Sequence, residues 1–180
     1  MASQRPAITE RQILDAALAL LDAGGPAAAS IRRVAAAVGV APTTVYTYFP
    51  EWAAVERALV ERLLGDVRLR AAGTWRARVE ALATELRARL LRHPGAVPIL
   101  IGGPIRSPSA ERLRACLVAL LIRAGLAPES ADRAAYLLKN FVLGWVALEI
   151  ADAERSGGAE QYLWGLRKVL DGIEAETKLD

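Results

Sequence analysis

Between Ser30 and Tyr48 the chain reads SIRRVAAAVGVAPTTVYTY, and no other stretch limits the fold so tightly. Ser30 is a good N-cap, and Ile31, Val34, Ala35 and Val38 follow at helical spacing. Gly39 breaks that pattern. Pro42 suits the first position of a second short helix, which ends before Pro50. A tight turn between two helices needs positive φ, which glycine adopts freely. Ala35 is small enough to lie where the first helix passes under the second, and Val45 fills the angle between them. Two short helices joined in this way form a helix-turn-helix, the unit that lays its second helix in the major groove of DNA. An ordinary helical hairpin inside a bundle fits the same three positions.

The outward side of the second helix bears on that choice. It offers Thr43, Thr44, Tyr46, Thr47 and Tyr48. Hydroxyls donate to phosphate oxygens and read base edges, and Ala41 and Pro42 are apolar enough to touch a thymine methyl. Arg32 and Arg33 open the preceding helix, within reach of a guanine edge or a phosphate. In a plain hairpin all of these are surface, but two tyrosines among threonines on so short a helix favour a partner.

Elsewhere the apolar period is also helical, and no segment alternates as a strand does. Thr9 to Gln12 reads as a capping box, with Ile13, Ala17, Leu20 and Leu21 on one face and Gly24-Gly25-Pro26 as the stop. A fourth helix is predicted from about Glu51 to Arg70, and a fifth from Thr74 to about Arg92, broken by His93-Pro94-Gly95. One or two turns follow from Ala96 to Ile101. A seventh helix starts at Ser107-Pro108 and ends at Gly125, an eighth runs from about Pro128 to Glu154, and a ninth carries Tyr162 to Ile173. The fold expected is all-α with about nine helices: a three-helix helix-turn-helix head, residues 8–54, and a helical ligand-binding and dimerisation body, residues 55–180.

Counting removes several chemistries. The 180 residues contain one Cys and one His, which rules out a disulfide within the chain, His pairs and Cys/His zinc sites. No catalytic residues, metal or cofactor are expected, and the chain does not read as an enzyme. A single free thiol suits the cytoplasm. No signal peptide is read at the start, and charged residues are expected to interrupt every apolar run before it reaches membrane-spanning length. The net charge of +3 permits a nucleic-acid partner. The first fifty residues hold four arginines against three acids, a weak steering field.

Residues 9 to 60 resemble the tetracycline-repressor (TetR) family of bacterial transcription regulators. The resemblance rests on Ile13-Leu14-x-x-Ala17, the Gly24 stop, Val34-Ala35-x-x-x-Gly39-Val40 and Thr44-Val45-Tyr46-x-Tyr48-Phe49-Pro50. His93-Pro94 and Phe141-Val142-Leu143-Gly144 look more weakly like the family's C-terminal half. The resemblance implies base contacts from Arg32, Ala41, Pro42 and Thr43, and phosphate contacts from Thr44, Tyr46 and Tyr48. Soon after Phe-Pro, where the family has a Lys that grips a phosphate, this chain has Trp52, whose indole N–H is the remaining donor.

A helix-turn-helix reads a palindrome as a dimer. The expected homodimer interface combines Leu137, Phe141, Gly144, Trp145 and Leu148 on the eighth helix with Tyr162, Leu166, Val169, Leu170 and Ile173 on the ninth. Both stripes fit an internal core equally well. A glycine inside a helix costs about 1 kcal/mol against alanine, so Gly144 suggests close packing. Leu86, Leu90, Leu100, Leu113, Cys116, Leu117 and Leu120 are candidate walls of a ligand pocket, with His93, Tyr136, Asn140 and Trp145 as its polar or aromatic groups. The function expected is a ligand-responsive repressor released from a double-stranded DNA operator by a small hydrophobic effector. The alternative is a helical interaction protein that keeps the fold with weakened or lost DNA binding.

Overall fold

The computed structural model describes residues 8–70, 72–102, 107–152 and 157–177. Its α-helices are α1 (Glu10–Gly24), α2 (Ile31–Val38), α3 (Pro42–Tyr46), α4 (Trp52–Leu64), α5 (Trp75–Leu91), α6 (Val97–Ile101), α7 (Pro108–Arg123), α8 (Pro128–Ala151) and α9 (Gly158–Glu176). Single 3-10 turns stand at Pro26–Ala28 and Pro94–Ala96. The helix starts obey the capping chemistry of the sequence. Thr9 and Gln12 cap one another, and Ser30, Thr74 and Ser107 each accept from the backbone N–H three residues on. Gly39 ends α2 in the left-handed conformation, φ 71° and ψ 33°.

α4 stops at Leu64, well short of the predicted Arg70. Leu59, Leu63 and Val67 are all buried at helical spacing, but Val67 reaches the core through a turn. Arginines take the carbonyls that a longer helix would satisfy. Arg89 of α5 donates to Leu63 O at 3.0 Å, and Arg68 and Arg112 both donate to Gly65 O. The predicted end of the eighth helix at Glu154 lies outside the described residues.

Two apolar clusters divide the chain. The first joins α1 to α4 around Ile13, Ala17, Leu21, Val34, Val45, Val55 and Leu59, and extends to Ala96 and Ile99. The head core therefore runs past residue 54 along the whole of α4. The second joins α5, α7, α8 and α9 around Val79, Leu121, Leu138, Val142, Leu166 and Leu170.

One expectation is corrected here. α8 is long and apolar enough, by length and composition, to cross a membrane, with mean hydropathy 1.4 over 18 residues, of which only 28% are buried. Lys139 is the only ionised side chain between Asp132/Arg133 and Glu149, so charges do not interrupt this run. Its buried face (Ala131, Ala135, Leu138, Val142, Val146) packs in the second cluster, and its other face remains apolar as well.

Candidate DNA-binding face and ligand cavity

The two short helices meet as their spacing requires. Ala35 and Val45 are completely buried, and the N–H of Val40 returns to Ala35 O at 3.0 Å around Gly39. Burying Val45 fixes the rotation of α3. Ala41, Pro42, Thr43, Tyr46, Thr47 and Tyr48 are then exposed, and Thr44 is half-buried.

Hydrogen bonding separates these residues. The Thr47 hydroxyl donates to Thr44 O at 2.7 Å, and the Tyr48 hydroxyl donates to Ile8 O at 2.5 Å, tying the chain ahead of α1 to the end of α3. Arg33 donates to Ala28 O at 3.2 Å. The side chains of Arg32, Thr43 and Tyr46 have no such bond among the described residues, so their donors face outward free. Trp52 is half-buried against the head core, and its indole N–H donates to Glu56 at 2.8 Å. The phosphate contact expected of Trp52 thus has no free donor in this structure.

A cavity of about 450 Å³ opens between α4, α5, α7 and α8. Of the eleven pocket candidates, Leu86, Leu90, Leu100, Leu113, Leu117 and Tyr136 line it, and the other five lie elsewhere. Cys116 and Asn140 point to solvent, and Leu120 is buried in the second cluster. Trp145 packs against Phe141, tilted, and against Tyr162, edge to face, at ring-centroid distances of 5.4 and 5.9 Å. His93 stands at the joint between head and body, its Nδ1 3.2 Å from the Asp22 carboxylate. Next to it, Gly95 N–H donates to Asp22 at 2.9 Å, and a Cβ on Gly95 would come within 2.1 Å of the Leu21 carbonyl, so only glycine lets the two backbones meet. No group of three His, Cys, Asp or Glu is placed to hold a metal among the described residues.

Sequence reasoning missed the α4 wall, Val60 and Leu64, and most of the α8 wall, including Leu138 and Val142. The signal was there: Val60 and Leu64 are four apart, as are Leu138 and Val142. Polar groups collect on one side, where α7 supplies Glu111 and Arg114 and α8 supplies Asp132, Tyr136 and Lys139. Arg114 pairs with Asp132, and Lys139 lies over the Tyr136 ring at 4.8 Å.

The expected interface splits in two. Tyr162, Leu166, Leu170 and Ile173 are at most 5% exposed and belong to the protomer's own core, which corrects their assignment to a dimer surface. Arg87 explains part of that burial: it lies 5.2 Å from the Tyr162 ring centroid and forms a partly buried bidentate pair with Glu149. Burial also raises the Tyr162 hydroxyl pKa, and that hydroxyl donates to Ala83 O at 2.9 Å. Val169, Phe141 and Trp145 are half-buried. Leu137, Gly144 and Leu148 remain exposed, at 50% and 67% for the two leucines, and Trp164 joins them at 57%. Among the described residues, no packed neighbour outside its own helix backbone lies within 4 Å of a Cβ built on Gly144. The close approach of α8 and α9 occurs instead at Gly165, where a Cβ would meet Trp145 and Phe141 at 3.1–3.2 Å.

Comparison with known proteins places this arrangement. The family model for bacterial regulatory proteins of the tetR family matches residues 13–54, and that for the tetracyclin repressor-like C-terminal domain matches residues 69–169. The chain is 28% identical over 172 residues to an HTH-type transcriptional repressor, DrrR1, from Streptomyces coeruleorubidus, covering 89% of this chain and 62% of the relative. It thus spans less than two thirds of that protein's length. Two solved structures share the fold. BioQ with its natural double-stranded DNA operator superposes with a TM-score of 0.79 at 23% identity, over 93% of this chain and 99% of that one. A single-residue variant of TetR from Acinetobacter baumannii, in complex with minocycline, superposes with a TM-score of 0.82 at 22% identity, over 95% and 99%. With both its head and more than half of its length matched, the chain belongs to the tetracycline-repressor family of bacterial regulatory proteins.

Proposed function

We propose that this chain is a ligand-responsive transcriptional repressor of the cytoplasm that binds a palindromic operator as a homodimer. It acts by binding, not by catalysis. The observation that carries the reading is the division of donors on the head: with Ala35 and Val45 buried, Arg32, Thr43 and Tyr46 are exposed and keep polar groups free of bonds among the described residues. BioQ carries its operator on the same fold.

Arg32 reads a base edge, Ala41, Pro42 and Thr43 lie against the groove floor, and Thr44 and Tyr46 hold phosphates. Thr47, Tyr48 and Arg33 mainly shape the head, because their donors serve the chain itself. The effector is a small, mostly apolar molecule held between α4, α5, α7 and α8; a protein of this fold has been solved in complex with minocycline. It weakens operator binding only by its preference for one head arrangement over the other. The dimer forms through Leu137, Gly144 and Leu148 of α8 and Trp164 of α9. Exposed apolar residues gathered in this way mark an interaction surface.

The test is a gel shift over a range of salt, using a duplex selected from a random pool by the wild-type protein. Recovery of a palindromic sequence supports the reading. Binding of all duplexes alike, or none, turns the assignment towards an interaction protein that keeps the fold without operator recognition.

A further inference from the structure

The end of α4 and the start of α7 exchange caps. Glu61 of α4 accepts the Ser109 N–H at 2.8 Å on one carboxylate oxygen and the Ser109 hydroxyl on the other. In return Arg112 of α7 donates to Gly65 O, just past the end of α4, at 3.2 Å and to the Ser109 hydroxyl at 3.0 Å. Each helix satisfies a terminus of the other, where its own ladder leaves backbone groups unpaired. Ser107 and Ser109 are the buried polar residues among those described, at 1% and 0% exposed. A buried hydroxyl that loses its partner is costly, so the bonds to Ser109 resist stretching.

The position of this exchange gives it consequence. Val60 and Leu64, on the same stretch of α4, line the cavity opposite Ala110 and Leu113 on the first turns of α7. One turn earlier on α4, Val55 and Leu59 are buried in the head core. One short helix therefore carries the cavity wall, the latch to α7 and the floor of the head.

We propose that Glu61 is a positioning residue that transmits occupancy of the cavity to the DNA-binding head. This rests on reading the cavity as the effector site. A molecule seated between Val60 and Leu113 pushes α4 and α7 apart. With the Glu61–Ser109 latch closed, the two helices cannot simply separate there, so α4 moves as a lever and the head moves with it. With the latch cut, α4 and α7 part locally and the head stays where it is.

The test measures head-to-body distance directly and needs no operator. Nitroxide labels are placed at Ala36→Cys on α2 and Ala88→Cys on α5, in a Cys116→Ser background. Labelled protein is diluted with unlabelled copies so that one pair is read per molecule. The cavity is filled with 8-anilinonaphthalene-1-sulfonate, whose fluorescence reports its own binding. The expected result is a shifted distance distribution in the otherwise wild-type protein. In Glu61→Ala the dye should bind with unchanged affinity and the shift should be lost. Ser109→Ala and the isosteric Glu61→Gln should each shrink the shift, and they carry the test if Glu61→Ala fails to fold. A dye-induced shift that survives all three substitutions overturns the proposal and leaves the cavity reading intact, as does dye binding with no shift in wild type. Failure of the dye to bind removes the cavity reading and the proposal with it.

Discussion

The indole N–H of Trp52 donates to the Glu56 carboxylate, one turn along α4, at 2.8 Å. At the position where the family resemblance implies a phosphate grip, the side chain has turned its donor inward. Trp52→Lys alone should therefore change DNA binding little, because Glu56 takes the new ammonium as an i,i+4 pair. Trp52→Lys combined with Glu56→Gln frees the charge. It should steepen the slope of log K against log salt by roughly 0.9 per subunit, about two for a dimer. A gel shift over a salt series reads both variants. Full steepening in the single mutant would show that Glu56 does not hold this position.

Arg32 and Tyr46 are both free of intramolecular side-chain bonds among the described residues, but they should fail differently. Arg32→Ala should cost about 1–3 kcal/mol and relax preference at one base pair per half-site, since a guanidinium fork reads a base edge. Tyr46→Phe removes one hydroxyl and should weaken all sequences alike, as loss of a phosphate contact does. Binding to a panel of single-base operator variants distinguishes them. Uniform loss in both mutants would make Arg32 a backbone contact.

On the proposed dimer surface, Leu148→Asp with Trp164→Asp should yield folded monomers, because both side chains are more than half exposed in the protomer. Leu166→Asp should instead unfold the body, since Leu166 is completely buried and an unpaired carboxylate there has no partner. Sedimentation and a thermal melt give the answer. If the double mutant remains dimeric, the interface lies off this face.

Glu61 gives a pH signature. Hydrogen bonds from the Ser109 hydroxyl and N–H hold its carboxyl below the usual carboxylate range, against the upward pull of burial. A carboxyl with a lowered folded pKa stabilises the fold above its unfolded value, about 4.3, and loses that contribution as pH falls through the folded value. The melting-temperature gap between wild type and Glu61→Gln should be widest near neutrality and close below about pH 4. A gap that widens on acidification would mean that the latch forms with the protonated acid.

Local chemistry was legible in the sequence, and non-local chemistry was not. Thr9, Ser30, Gly39, Thr74 and Ser107 announced helix ends because each acts within a few residues. The length of α4 was misread because its last carbonyls are claimed by Arg89 and Arg112, far along the chain. His93 looked like a pocket group, but its neighbour Asp22 lies 71 residues away. α8 carries two apolar stripes, Ala131-Leu138-Val142-Val146 and Leu137-Phe141-Leu148, and periodicity cannot say which one a single copy buries. Cys116 follows Leu113 and precedes Leu117 on α7, so one residue of register, about 100° of rotation, sends it to solvent.

The cavity makes the most direct prediction. Ala135 lies on its α8 wall and is 4% exposed, so a larger side chain there must grow into the empty volume or disturb the packing around it. The cavity of about 450 Å³ is larger than a phenyl group needs, which makes filling the cheaper course. Ala135→Phe should therefore melt within a few degrees of wild type, or slightly above it, as buried apolar area is gained at about 25 cal/mol per Å². It should also bind 8-anilinonaphthalene-1-sulfonate much more weakly. Where that dye does bind the wild type, calorimetry should show a negative heat-capacity change from apolar burial, undiminished by a chelator. His93→Ala should leave this binding alone, because His93 stands at Asp22 and not on the cavity wall. Operator affinity should survive Ala135→Phe, since the head core is untouched, and release by effector should fail. A variant that binds the dye as well as wild type, or that loses operator and dye together, would place the ligand site elsewhere in the body.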